Sequence, residues 1–170
     1  MKLKTERLII RSLEPKDAKD LSIIANNPKI AANLTDVFPH PYTIKEAKDW
    51  IKKNNNSKST NYLITLDNRV VGAIGLSIKK GDRKHVAEIG YWLGEPYWGK
   101  GIGSEALCAV TKYAFDTFKL KRIEAKVYIW NPTSAHILEK AGYKLEGTLR
   151  NSTLKQKKIV DEWMYSIIGS

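Results

Sequence analysis

A glycine-rich stretch, Gly94-Glu95-Pro96-Tyr97-Trp98-Gly99-Lys100-Gly101-Ile102-Gly103-Ser104, does most to restrict what this chain can fold into. The apolar run 86–93 before it reads as a strand. The segment 102–118 after it reads as a long helix, with Leu107, Val110, Ala114 and Phe118 on one stripe. A strand, a glycine loop and a helix start together gather free backbone N–H groups and the positive end of a helix dipole, which suits a phosphate. Glycine lets those amides turn inward because it has no Cβ. Such loops also cap helices for structural reasons alone, and spacing leaves both readings open. A nucleoside-triphosphate loop is excluded, because Gly101 stands where a hydroxyl must follow Lys100. A dinucleotide fingerprint fails as well: Ser104 takes the third glycine position, and the preceding strand does not open a βαβ unit.

Around this loop the chain reads as one mixed α/β domain over 1–170, in the order β-α-α-β-β-β-α-β-α-β-β. Residues 5–12 predict a strand, and Ser12-Leu13-Glu14-Pro15 a helix start that runs to Asn27. Thr43 opens a second helix with Glu46 at capping-box spacing. Asp67-Asn68 signals a tight hairpin between 62–66 and 70–78, and Gly81-Asp82 a further turn. Residues 122–130 alternate, with Ile123, Ala125, Val127 and Ile129 on one face and Arg122, Glu124, Lys126, Tyr128 and Trp130 on the other. A short helix from Asn131-Pro132 stops before Gly142, and strands near 143–149 and 158–168 follow.

No apolar run approaches the ~20 residues of a membrane span, and the opening residues lack a signal-peptide core; a cytoplasmic protein with no membrane partner is expected. The single cysteine, Cys108, excludes an intrachain disulfide and reads as helix packing. His40, His85 and His136 have no metal-ligand spacing, so no metal is expected. Lys and Arg number 29 against 18 Asp and Glu, giving +11. That balance favours anionic partners such as nucleic acid or a phosphorylated cofactor, or serves solubility. The basic residues are scattered in pairs rather than drawn into one stripe.

The runs Ala87-Glu88-Ile89-Gly90-Tyr91-Trp92-Leu93 and Tyr97-Trp98-Gly99-Lys100-Gly101-Ile102-Gly103-Ser104-Glu105-Ala106 resemble the acetyl-CoA loop of the GNAT superfamily of N-acyltransferases. Asn131-Pro132-Thr133-Ser134 with Leu138-Glu139-Lys140-Ala141-Gly142-Tyr143 resembles its second motif, and Thr5-Glu6-Arg7-Leu8-Ile9-Ile10-Arg11 its first strand. The likeness covers nearly the whole chain and points to the ribosomal-protein N-terminal acetyltransferase branch. It implies a mostly antiparallel twisted sheet of about seven strands with about four helices. It also implies direct transfer of an acetyl group from acetyl-CoA to a primary amine, such as a protein N-terminus. Trp98 stands where the superfamily usually has Arg or Gln. Leu138 stands where many members carry a tyrosine that acts as general acid, and a late glutamate base of some branch members falls near Thr153 and is not carried over.

The resemblance assigns cofactor binding to Tyr91, Trp92 and Leu93 on the strand, to the backbone N–H groups of Trp98, Gly99, Lys100, Gly101, Ile102, Gly103 and Ser104, and to Asn131. Ser134 becomes the proton donor. Glu88, the one acid in an apolar strand, becomes the base or water-holder, with burial expected to raise its pKa. Helix capping is the alternative for Asn131 and Ser134, and a paired structural carboxylate the alternative for Glu88. Phe38–Tyr42 falls where the family places its acceptor loop. A homodimer through 157–168 is the expected assembly. Nucleic acid is not an expected partner except through a ribosome. Two rival readings are a non-catalytic acyl-CoA-binding relative and a basic nucleic-acid-binding module, the latter resting on the charge and sixteen aromatic residues.

Overall fold

Short apolar runs separated by turn residues assemble into one mixed sheet in a computed structural model, which describes residues 1–169. The strands are β1 (Lys2–Lys4), β2 (Leu8–Arg11), β3 (Asn61–Leu66), β4 (Arg69–Ile78), β5 (Val86–Leu93), β6 (Arg122–Tyr128), β7 (Lys144–Lys155) and β8 (Lys158–Ile168). The helices are α1 (Ala18–Ala25), α2 (Pro28–Ala31), α3 (Ile44–Asn54), α4 (Ile102–Phe118) and α5 (Pro132–Lys140). The strand order is β1-β2-β3-β4-β5-β6-β8-β7. Neighbours run antiparallel except β5 and β6, which are parallel.

The count exceeds the expectation by β1 and α2, both too short to show a period. Asn26-Asn27-Pro28 ends α1 as anticipated, but it also starts α2: the Asn27 side chain accepts from the Lys29 amide at 2.8 Å, and Pro28 stands at the first helical position. The first strand is shorter than 5–12, because Thr5 closes a turn by bonding to Leu8.

Contacts group the chain into two compact units, Met1–Gly75 with Tyr91–Ala106, and Leu76–Gly90 with the chain from Leu107 onward. In the first, Leu13, Leu21, Ala25, Ala47, Ile51 and Leu63 form a core that Phe38 and Trp92 flank. The entry to α1 is set by a buried ion pair. Arg11 donates to both Asp17 carboxylate oxygens at 2.8 and 2.7 Å, and Asp17 also accepts from the Glu14 amide. The resulting 3-10 turn over Pro15–Asp17 moves the α-helix start to Ala18, later than the capping residues suggest. Thr43 does precede α3, but its hydroxyl bonds to the Glu46 carboxylate rather than capping a backbone N–H.

In the second unit α4 buries Leu107, Val110 and Ala114, and Ile123, Ala125 and Val127 of β6 are buried as their alternation requires. Phe118 is only half-buried, and Cys108 lies exposed on α4 instead of packing. Two residues on the opposite face of β6 are buried as well. Glu124 accepts from Arg83 and Arg122 at 2.8 and 2.9 Å, and Tyr128 lies stacked with Trp130 at 4.6 Å. The last hairpin turns at Gln156 and Lys157, both left-handed, so β7 runs on to Lys155. An irregularity between Leu149 and Thr153, with left-handed Asn151 bonded to Asp161, interrupts its ladder and hides the continuation from periodicity.

Gly72 on β4 decides how closely β5 approaches. A Cβ there would stand 2.2 Å from the Trp92 carbonyl oxygen and 2.8 Å from the Leu93 side chain. Gly72→Ala is expected to destabilise the protein by about 1–3 kcal/mol, the usual scale of overpacking. Chemical denaturation checks this, and a midpoint equal to wild type would show that β5 shifts at no cost.

Candidate functional site

The loop between β5 and α4 is shaped before any ligand is considered. The Gly94 amide donates to the Val71 carbonyl at 2.9 Å, tying the strand end to β4. Glu95–Tyr97 forms a 3-10 turn, and Glu95 pairs with Lys29 and accepts from Asn27 at 2.7 Å. The Trp98 indole N–H donates to the Leu93 carbonyl at 2.8 Å. Gly99 and Gly101 have φ of 70° and 75°, a left-handed region that other residues enter at a cost.

Among the described residues, the backbone N–H groups from Gly99 to Ser104 have no protein acceptor, although Ile102 and Gly103 are buried. Orphan donors at the start of a 17-residue helix are what an anionic group requires. The residues therefore fit a pyrophosphate. Trp98 is a correction to the sequence reading, because its amide is already spent on the Glu95 carbonyl at 3.1 Å.

A clamp that the sequence reading missed holds this loop. Glu105, in the first turn of α4, accepts from the Thr5 hydroxyl at 2.5 Å, the Arg7 amide at 2.9 Å and the Arg7 Nε at 2.7 Å. Arg7 also donates from Nη1 to the Lys100 carbonyl at 2.8 Å. Because a peptide is planar and trans, fixing that carbonyl toward Arg7 aims the Gly101 N–H the opposite way. Burial would raise the Glu105 pKa, but the bonds from Thr5 and Arg7 outweigh it and hold the group below the ordinary carboxylate value. The only signal in the sequence was Thr5-Glu6-Arg7 itself, which gave no hint of a partner about a hundred residues away.

Tyr91 and Trp92 are half-buried and Leu93 is buried. Phe38 meets Trp92 edge-on at 5.7 Å and Tyr42 at 5.0 Å, so the aromatic loop packs onto the strand end. Trp92 and Trp98 lie in the first unit and Trp130 in the second.

Glu88, Asn131 and Ser134 also lie in the second unit. β5 pairs with β6 only from Val86 to Glu88, opposite Arg122 to Glu124; beyond that point the two form no ladder among the described residues. Glu88 sits at this parting. Burial pulls its pKa up, but the hydrogen bond from Lys79 at 2.9 Å and the charge of Lys126 at 3.6 Å outweigh it, so the net direction is down. The expectation of a raised pKa is overturned, because the sequence did not show that both lysines would converge on this carboxylate. Asn131 caps α5, its side-chain oxygen accepting from the Ser134 amide at 3.2 Å. Ser134 is half-buried in the first turn of that helix, and Leu138 is fully buried core.

Residues 7–144 match the family described as Acetyltransferase (GNAT) domain. An uncharacterized N-acetyltransferase, p20, of Bacillus licheniformis is 31% identical, over 98% of this chain and 95% of its own. The crystal structure of a GNAT-family acetyltransferase from Bacillus anthracis is 29% identical, with a TM-score of 0.87 over 99% of this chain and 98% of its own. RimL, a ribosomal L7/L12 alpha-N-protein acetyltransferase in complex with coenzyme A, shares the fold at 20% identity, with a TM-score of 0.85 over 99% of this chain and 98% of its own.

Two outcomes follow from this geometry. Arg7→Ala should speed amide exchange at residues 99–103 while leaving β8 protected, as hydrogen exchange can resolve; unchanged loop protection would show that the glycines alone shape it. Glu88, with a folded pKa below the ordinary 4.5, contributes stability that is present above that value and is lost as pH falls through the lower folded one. Lys79→Met should move its midpoint upward, read by carboxyl-carbon NMR titration, because burial then meets only Lys126.

Proposed function

The chain belongs to the GNAT acetyltransferase family and is an N-acyltransferase, and from that premise we propose that it moves an acetyl group from acetyl-CoA directly to a primary amine such as a protein N-terminus. The observation that carries the cofactor is the run of orphan amides from Gly99 to Ser104 at the start of α4. Coenzyme A in RimL, on the same fold, supports the same reading.

Acetyl-CoA supplies an activated thioester. The Gly99–Ser104 amides hold its pyrophosphate, and the backbone of Tyr91, Trp92 and Leu93 runs beside the pantetheine arm. Trp98 braces the loop through its indole. The Asn131 oxygen is committed to the helix cap, so its side-chain N–H₂ is the group left to bond the arm. Ser134 Oγ donates the proton that the departing sulfur takes up. Glu88, kept ionised by Lys79 and Lys126, holds the water that carries the proton away from the amine.

Acetyl-CoA at ~100 times its dissociation constant should add roughly 2.7 kcal/mol of stability without magnesium. Gly101→Val should remove that shift, because its φ of 75° excludes a β-branched residue. Ser134→Ala should slow turnover by about 10²- to 10⁴-fold with coenzyme A affinity retained. Thermal melts, a coenzyme A titration and an amine panel read by thiol release test this. An unchanged melt at millimolar acetyl-CoA overturns the reading.

A further inference from the structure

A second carboxylate fastens the loop after β5, at its other end and to a different part of the chain. Glu95 accepts from Asn27 Nδ2 at 2.7 Å and pairs with the Lys29 ammonium. Asn27 turns its Oδ1 the other way and caps α2 through the Lys29 amide at 2.8 Å. The corner between α1 and α2 thus closes on one carboxylate from two positions. Beside it Ile24 is seated against Gly94, where a Cβ would stand 2.2 Å from two atoms of the Ile24 side chain. Asn26 Oδ1 accepts the Tyr42 amide at 2.9 Å, which brings the far end of the following segment back to the same corner.

The segment in between is loosely held. Residues 32–41 run through turns, and all of 31–41 are exposed or half-buried, Val37 at 90%. Phe38 rests edge-on against Trp92 at 5.7 Å. A stretch with so little buried surface opens readily unless its ends are fixed. In the acetyl-transfer reading the backbone at Trp92 runs beside the pantetheine arm, so this segment borders the approach to the thioester. An exposed ion pair alone contributes little. Here the Asn27 bond and the Ile24 contact act with it, and together they set the corner by the position of Gly94 and Glu95. A ligand that orders the loop then orders what is fastened to it.

We infer that Glu95 is a positioning residue that ties segment 31–42 to the cofactor loop, so that filling the loop settles the segment the acceptor must pass. The inference rests on the acetyl-transfer reading above. It is tested by hydrogen exchange on wild type, Glu95→Ala and Glu95→Gln, each with and without coenzyme A. In wild type, coenzyme A should slow exchange both at 99–104 and at 31–42. In Glu95→Ala the slowing at 99–104 should remain, because the Arg7–Glu105 clamp is intact. The slowing at 31–42 should shrink by about fivefold or more, the low end of coupling between two sites. Glu95→Gln keeps an acceptor for Asn27 but no charge for Lys29, and should retain part of the effect. In turnover with an amine from the thiol-release panel, Glu95→Ala should raise KM for the amine and leave kcat in place.

Exchange at 31–42 that ignores coenzyme A in wild type, with 99–104 protected, overturns the inference alone. So does equal slowing of 31–42 in wild type and Glu95→Ala. If coenzyme A slows neither region of wild type, the acetyl-transfer reading fails and the inference falls with it. If Glu95→Ala does not fold, Glu95→Gln and Lys29→Met decide: wild-type slowing of 31–42 in both overturns the inference, and a loss in either supports it.

Discussion

The bonding of Glu105 to the N-terminal turn is the interaction on which the loop after β5 depends. A carboxylate in the first turn of a helix already complements the positive dipole end. Here it also gathers the Thr5 hydroxyl and the amide and guanidinium of Arg7, and Arg7 reaches on to the Lys100 carbonyl. Glycine allows this loop many conformations; the clamp selects one in which a carbonyl is spent on protein and the amides are not. An anion site formed this way has little reorganisation left to undergo when an anion arrives.

The electrostatics of the second unit follow another rule. Glu88 and Glu124 sit opposite one another at the parting of β5 and β6, two acids that would repel if left alone. Each is neutralised separately, Glu88 by Lys79 and Lys126, Glu124 by Arg83 and Arg122. Arg122 also grips Glu146, whose pKa is pushed down to about 2. Several of the 29 basic residues are thus arranged around acids on the sheet.

Much of the architecture could be read before the structure. The hairpin at Asp67-Asn68 forms with both residues left-handed, as its chemistry demands. The helix predicted over 102–118 spans Ile102–Phe118. Elements of three or four residues escaped, as did the second half of β7, because a bulge breaks the alternation that would have announced it. The amide run was legible too, except for Trp98, whose N–H is consumed by a 3-10 turn that no periodicity reveals.

Local chemistry determined by itself that a glycine loop would precede a helix, that Asn131 would stand at a helix start, and that no intrachain disulfide could form. Those features depend on backbone sterics and on groups a few residues apart, and sequence reports such neighbours directly. The ionisation of Glu88 and the clamp on Glu105 were decided only by tertiary structure. Both depend on which charges lie within a few ångströms, and Lys79, Lys126 and Arg7 are brought there by the fold rather than by spacing along the chain. An acid in an apolar strand reads as raised in pKa when burial is all that sequence shows, and the sign reverses once two lysines share its face of the sheet.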